Sequence, residues 1–189
     1  IINEERPQLT KHLATRFKEK IGQNVNLLGE VVLGNEEADH RYHHYLEALE
    51  SPDINYISVK ISGIYAQTHA LNYEESFPEL VSRMSALYQK AIDFPYTDED
   101  GIKRSKFINL DMEEYKDAHF TLRLFKAVLN LPQFKNYSAG IVVQAYLPDA
   151  YDFQTELLEF AKARVDGGGA PIKMRLVKGC NLEMETVIS

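Results

Sequence analysis

A single cysteine, Cys180, stands among 189 residues. It excludes an internal disulfide framework and a zinc site built from cysteines alone. It reads as a small packing residue, and a reducing, cytosol-like compartment is expected. Positive charge is also short: 21 Lys and Arg stand against 28 Asp and Glu, a formal net charge of −7. No Lys/Arg run forms a basic stripe, so no nucleic-acid partner is expected and an acidic-membrane anchor has no support. The longest apolar runs are strand-sized, well below the roughly 20 residues that cross a bilayer. The amino end, IINEERPQLTKHL, is polar and carries no apolar stretch of the secretory kind. It begins at Ile1, so residues upstream are expected to have been removed.

Decisive local motifs are absent as well. There is no G-x-G-x-x-G, no P-loop, no H-E-x-x-H and no G-x-S-x-G. Gly167-Gly168-Gly169 precedes a strand-like run and reads as a turn, not a phosphate cradle. His40, His43 and His44 share i, i+3, i+4 spacing, but the apolar stripe of their helix lies elsewhere. They read as a solvated face, and no metal is expected. Asp98 to Gly101 lacks the downstream ligands of a calcium loop and reads as a surface turn. Asn136-Tyr137-Ser138 fits a glycosylation sequon, with nothing to suggest secretion.

What is present is enough for one sizeable core: 44% of residues are hydrophobic and 26% charged. Leu9, Leu13, Phe17 and Ile21 mark an amphipathic helix. Val25 to Glu30 is a short apolar run. Asn35 is placed to cap a helix with Ala38, Tyr42, Tyr45, Leu46 and Leu49 on one face, broken at Ser51-Pro52-Asp53. Strands are predicted at Ile54 to Ser62, Phe107 to Met112, Ala139 to Leu147 and Ile172 to Gly179. Between them run helices carrying Leu80, Met84, Leu87 and Ala91; then Ala118, Leu122, Phe125 and Leu129; then Phe153, Leu157 and Ala161. Two polar segments, GIYAQTHALNYEES and DFPYTDEDGIKRS, read as loops.

Apolar strands alternating with amphipathic helices specify a parallel sheet covered by helices. Most repeats are roughly 30 to 35 residues, the length of one βα unit in an eight-unit barrel of about 250 residues. Each predicted strand carries a polar residue near its carboxyl end: Glu30, Lys60, Asp111, Gln144 and Arg175. Buried charge is costly unless paired or ligand-bound, and barrel enzymes build their sites at that end. The plainer alternative is a ring of structural ion pairs, Lys60 with Asp111 and Arg175 with Glu30.

The segments NLLGE, YISVKIS, FINLDMEEY, VVQAYLPD and MRLVKGCNLEME, in this order, resemble the proline dehydrogenase family over nearly the whole chain. The resemblance implies a (β/α)8 barrel of the proline dehydrogenase type, of which about five βα units are present, with residues 1–189 forming one partial barrel domain. It implies FAD-dependent oxidation of L-proline to Δ1-pyrroline-5-carboxylate, electrons passing to a quinone. It also implies peripheral membrane contact of the full-length protein and a fused pyrroline-5-carboxylate dehydrogenase domain in some members. The expected location is cytoplasmic, at the inner membrane surface when peripheral, or on the matrix side of mitochondria. Arg175 matches the arginine beside the reactive edge of the flavin, Gln144 a contact to its ring, and Val177, Lys178, Gly179 and Cys180 the loop along it. Lys60 matches a lysine that holds the substrate carboxylate, Asp111 the aspartate beside it near the flavin, and Glu30 a glutamate that pairs with a substrate-binding arginine. Arg175, Lys60 and Asp111 are thus the expected catalytic set, and no catalytic base is assigned.

Many members carry a substrate-touching tyrosine where this chain has Asn181; the resemblance places Asn181 at the substrate, though it cannot repeat the tyrosine's contact with the substrate ring. With five strands of eight, the chain is expected to be part of a longer protein and not to oxidise proline by itself. Another barrel enzyme, an aldolase or isomerase, and a non-catalytic barrel fragment acting as a binding module remain the alternative readings.

Overall fold

The computed structural model describes residues 6–26, 34–65 and 73–178. Helix α1 (Arg6–Lys18) leads to strand β1 (Val25–Asn26), and α2 (Asn35–Glu50) to β2 (Tyr56–Val59). Helix α3 (Tyr73–Asp93) is followed by a short pair, β3 (Tyr96–Thr97) and β4 (Lys103–Arg104), and then by β5 (Phe107–Leu110). Helix α4 (Ala118–Leu129), β6 (Gly140–Gln144), α5 (Ala150–Asp166) and β7 (Lys173–Val177) complete the described order. Strands β1, β2, β5, β6 and β7 form one sheet in that order, every pairing parallel. This is the five-unit partial barrel expected from the alternation of strands and helices.

One face of the sheet explains why it forms. Ile57, Val59, Ile108, Leu110, Ile141 and Val143 are fully buried, alternate along their strands, and meet the helices. Leu80, Met84, Leu87 and Ala91 of α3 are fully buried, as are Leu124, Phe125, Val128 and Leu129 of α4. Each of these Val, Ile, Leu, Met and Phe side chains removed from water contributes about 1.5–3 kcal/mol before entropy is charged against it.

Arg164 ties the carboxyl end of α5 to the sheet. Its guanidinium donates to five backbone carbonyls, those of Leu129, Phe134, Lys135, Tyr137 and Ala170. Gly168 then turns the chain at φ +75°, a conformation glycine adopts without strain. At the same amino end of the sheet Lys106 is buried, and its ammonium donates to the carbonyl of Ser51, the C-cap of α2. Desolvation pulls the Lys106 pKa down to about 8.

The structure differs from the sequence reading in several local places. Tyr73 to Ser76, read as part of a loop, open α3, and residues 66–72 of that segment lie outside the described residues. The N-cap of α2 is Gly34, and Asn35 is its first residue. Segment 93–105 is not all loop, because it holds the β3–β4 hairpin. The Asp98 carboxylate organises that turn, accepting from the backbone of Asp100 and Ile102 at 3.0 and 2.9 Å. The strand predicted over Ile54 to Ser62 is shorter, because a 3-10 turn starts at Ile61. Glu113 holds that turn, accepting from Ser62 N at 3.0 Å and Ser62 Oγ at 2.7 Å.

Candidate active site

The opposite face of the sheet is stacked in rows by the strand register. The lowest row pairs Tyr56 with Phe107, rings edge to face at 5.0 Å. Lys173 lies over both rings at 5.9 and 5.7 Å. The next row runs Ser58, Asn109, Gly140, Lys173. Above it Val142 pairs with Arg175, and the register continued one step past Leu110 brings Lys60 and Asp111 into the same row. The amide of Asp111 extends the ladder, donating to Val59 O at 2.8 Å. The top row pairs Gln144 with Val177.

Asp111 and Arg175 meet directly: Arg175 Nη2 donates to Asp111 Oδ1 at 2.7 Å. The carboxylate side chain is 12% exposed and the guanidinium 45%, so the pair has one foot in the sheet and one at the surface. The plainer alternative named Lys60 as the partner of Asp111, and the structure corrects it. An arginine is long enough to cross the two strand spacings, near 10 Å, that separate β5 from β7. No described carboxylate lies within ion-pair distance of Lys60, whose neighbour Tyr45 backs the turn. Burial pushes the Tyr45 phenol up to about 12, against a backbone hydrogen bond at Lys60 that lowers it.

Gln144 is buried, and its Nε2 lies 2.9 Å from both Glu113 O and the Tyr146 hydroxyl. Its Oε1 is buried without a described hydrogen-bond partner. An amide oxygen left so costs desolvation energy unless something donates to it. Val177 is half-buried and Lys178 exposed at the end of β7. Glu30, Gly179, Cys180 and Asn181, the other expected contacts, lie outside the described residues.

Sequence reasoning missed the residues beneath the charges. Ser58 Oγ and Asn109 Nδ2 donate to Asp111 Oδ1 at 3.2 and 2.6 Å, and Asn24 Nδ2 donates to Ser58 Oγ at 2.8 Å. Period-two alternation carries the signal: Ser58 is two residues before Lys60, and Asn109 two before Asp111.

A cleft among the described residues lies apart from this cluster. About 930 Å³ in volume, it opens at the amino end of the sheet, between α1, the β3–β4 turn and the Tyr56–Phe107 row. It mixes apolar surface with charges of both signs, two of which, Lys20 and Glu99, pair across it at 3.1 Å. Cation, carboxylate and unsatisfied amide gather instead at the carboxyl end of the sheet, the end where barrel enzymes build their sites. Among the described residues no group of His, Cys, Asp and Glu is placed to hold a metal ion; the His40 and His44 rings lie 4.2 Å apart, tilted at 53°.

Comparison with known proteins follows the same residues. The family model described as proline dehydrogenase matches residues 9–189. The proline utilization A (PutA) structure from Corynebacterium freiburgense is 41% identical, with a TM-score of 0.90 over 100% of this chain and 19% of its own. PutA from Bdellovibrio bacteriovorus, inactivated by N-propargylglycine, is 31% identical, with a TM-score of 0.79 over 94% of this chain and 19% of its own. A PutA mutant from Bradyrhizobium japonicum, 24% identical with a TM-score of 0.72 over 87% of this chain and 17% of its own, shares the fold. The chain therefore spans about a fifth of the length of the structures it matches. No curated protein matches it.

Proposed function

The chain belongs to the proline dehydrogenase family, and on that premise we propose that the full protein oxidises L-proline to Δ1-pyrroline-5-carboxylate with FAD as cofactor and a quinone as electron acceptor. The observation that carries this reading is the convergence at the carboxyl end of the sheet. A carboxylate-held, half-exposed guanidinium lies there with an unsatisfied buried amide oxygen and a lysine unpaired among the described residues.

The residues fit a flavin. The ring edge of that cofactor offers an imide N–H and carbonyl oxygens, the complements of Gln144 Oε1 and of a fixed cation. Arg175 and Gln144 would hold the ring, with Val177 and Lys178 beside them. When bound, FAD supplies the two-electron acceptor for breaking the C–H bond next to the ring nitrogen of proline. Arg175, pinned by Asp111, places positive charge where negative charge builds and needs no reorganisation at that moment. Lys60 offers an ammonium to the substrate carboxylate. The site's remaining task is to position, since a neutral amine needs no strong base.

Electron transfer to a quinone implies that the full protein works at a membrane surface, with the cytoplasmic or matrix face as its place. No described helix is long and apolar enough to cross a membrane. A fused pyrroline-5-carboxylate dehydrogenase is the natural consumer of the product. The aldolase and isomerase readings have no support from the family match.

The full-length protein incubated with N-propargylglycine tests the proposal. Time-dependent loss of proline oxidation, prevented by L-proline, is expected. A protein that shows neither proline turnover nor inactivation contradicts it.

A further inference from the structure

The row beneath the charged pair is built around a single atom. Asp111 Oδ1 accepts from Arg175 at 2.7 Å, Asn109 at 2.6 Å and Ser58 at 3.2 Å. Ser58 is 0% exposed and Asn109 1%, so these bonds are shielded from water. The serine proton is directed: Asn24 Nδ2 donates to Ser58 Oγ at 2.8 Å, which leaves the hydroxyl hydrogen for Asp111. Gly140 makes room. A Cβ there would lie 2.6 Å from Asn109 Oδ1 and 2.9 Å from Phe107 Cε1, so any side chain would displace the Asn109 amide.

The plain reading is a set of buried polar groups satisfying one another. Aliphatic residues at positions 58 and 109 would fill that space without desolvating an amide and a hydroxyl. The two donors instead converge on the one oxygen that holds Arg175. A carboxylate whose oxygen is held from below by two neutral donors cannot rotate about its own axis.

We propose that Ser58 and Asn109 are positioning residues: they lock Asp111, and through it fix the orientation of the Arg175 guanidinium at the reaction site. The catalytic consequence rests on the function proposed above, whereas the lock itself is a property of the protein without cofactor.

The test uses the full-length protein with Ser58→Ala, Ser58→Thr, Asn109→Leu and Asp111→Asn, alone and combined. The first readout needs no activity. Arg175 modification by phenylglyoxal, followed by mass spectrometry on flavin-free protein, should run about tenfold faster in Ser58→Ala and Asn109→Leu, the scale of one lost charge-assisted hydrogen bond. The second is kinetic. In both variants kcat should fall by about tenfold or more while KM for proline changes less than about twofold, and Ser58→Thr should restore most of the loss. In the Asp111→Asn background neither substitution should cost more than about a further twofold, because both act through Asp111.

Unchanged Arg175 labelling, or losses that multiply with Asp111→Asn, overturns the lock. A wild-type protein without flavin or proline turnover overturns the proposed function, and the labelling result then judges the lock on its own. Asn109→Leu serves as the second variant if Ser58→Ala does not fold.

Discussion

Arg175 reaches Asp111 across an intervening strand. Nη2 and Oδ1 are 2.7 Å apart, although β6 separates their strands and Val142 occupies the row between them. The pair therefore reads as a feature of the sheet's inner wall, not as a contact of neighbouring loops. Because the guanidinium is 45% exposed, the ion pair adds about 1 kcal/mol or less to stability. Its effect is on where a cation is held.

Removing that cation should separate folding from chemistry. Arg175→Ala is expected to lower kcat for proline in the full-length protein by about 10²–10³-fold, the scale of a lost transition-state donor. Stability should change by about 1 kcal/mol or less. Steady-state kinetics with a thermal melt check both; an intact kcat would favour a non-catalytic module.

Lys60 should act on binding. Lys60→Met is expected to raise KM for proline by about 10- to 100-fold, the loss of one bond to a charged group, with a smaller change in kcat. Initial rates over a range of proline concentrations decide. A change confined to kcat would remove Lys60 from carboxylate binding.

Arg164 should be a stability residue with no kinetic role. Lys cannot reproduce a planar fork that serves five carbonyls. Arg164→Lys is expected to destabilise the domain by about 2–4 kcal/mol, since several carbonyls lose their donor. Proline turnover per folded molecule should be unchanged, as read by chemical denaturation beside an activity assay.

Lys106 gives a pH signature. Its folded pKa is depressed to about 8 from 10.5 by desolvation, so between those values the unfolded chain binds the extra proton. Stability contributed by Lys106 thus rises as pH climbs from 8 to 10.5, and the charged form penalises the fold below 8. Urea melts across this window should show the rise in wild type and its loss in Lys106→Met. Parallel curves would place the Lys106 ammonium in water.

The fold was largely legible because its signals are local. Leu80, Met84, Leu87 and Ala91 announce a helix face at 3.6-residue spacing, and all four are buried. Asp111, Gln144 and Arg175 were legible as polar residues near the carboxyl ends of apolar strands. Their partnerships were not, because pairing depends on register and side-chain length: Asp111 chose Arg175, two strands away, over Lys60 beside it. The hairpin at 96–104 was hidden by two-residue strands, which carry no periodicity. Ser58 and Asn109 were hidden for another reason. They are small polar residues inside strands, and only the position of Asp111 Oδ1 reveals what they serve.

The most direct measurement is a visible absorption spectrum of the full-length protein, recorded without oxygen before and after adding L-proline. A flavin band that bleaches on proline is the predicted result. The absence of a flavin band after reconstitution with FAD, or a band that proline leaves unchanged, would contradict the account.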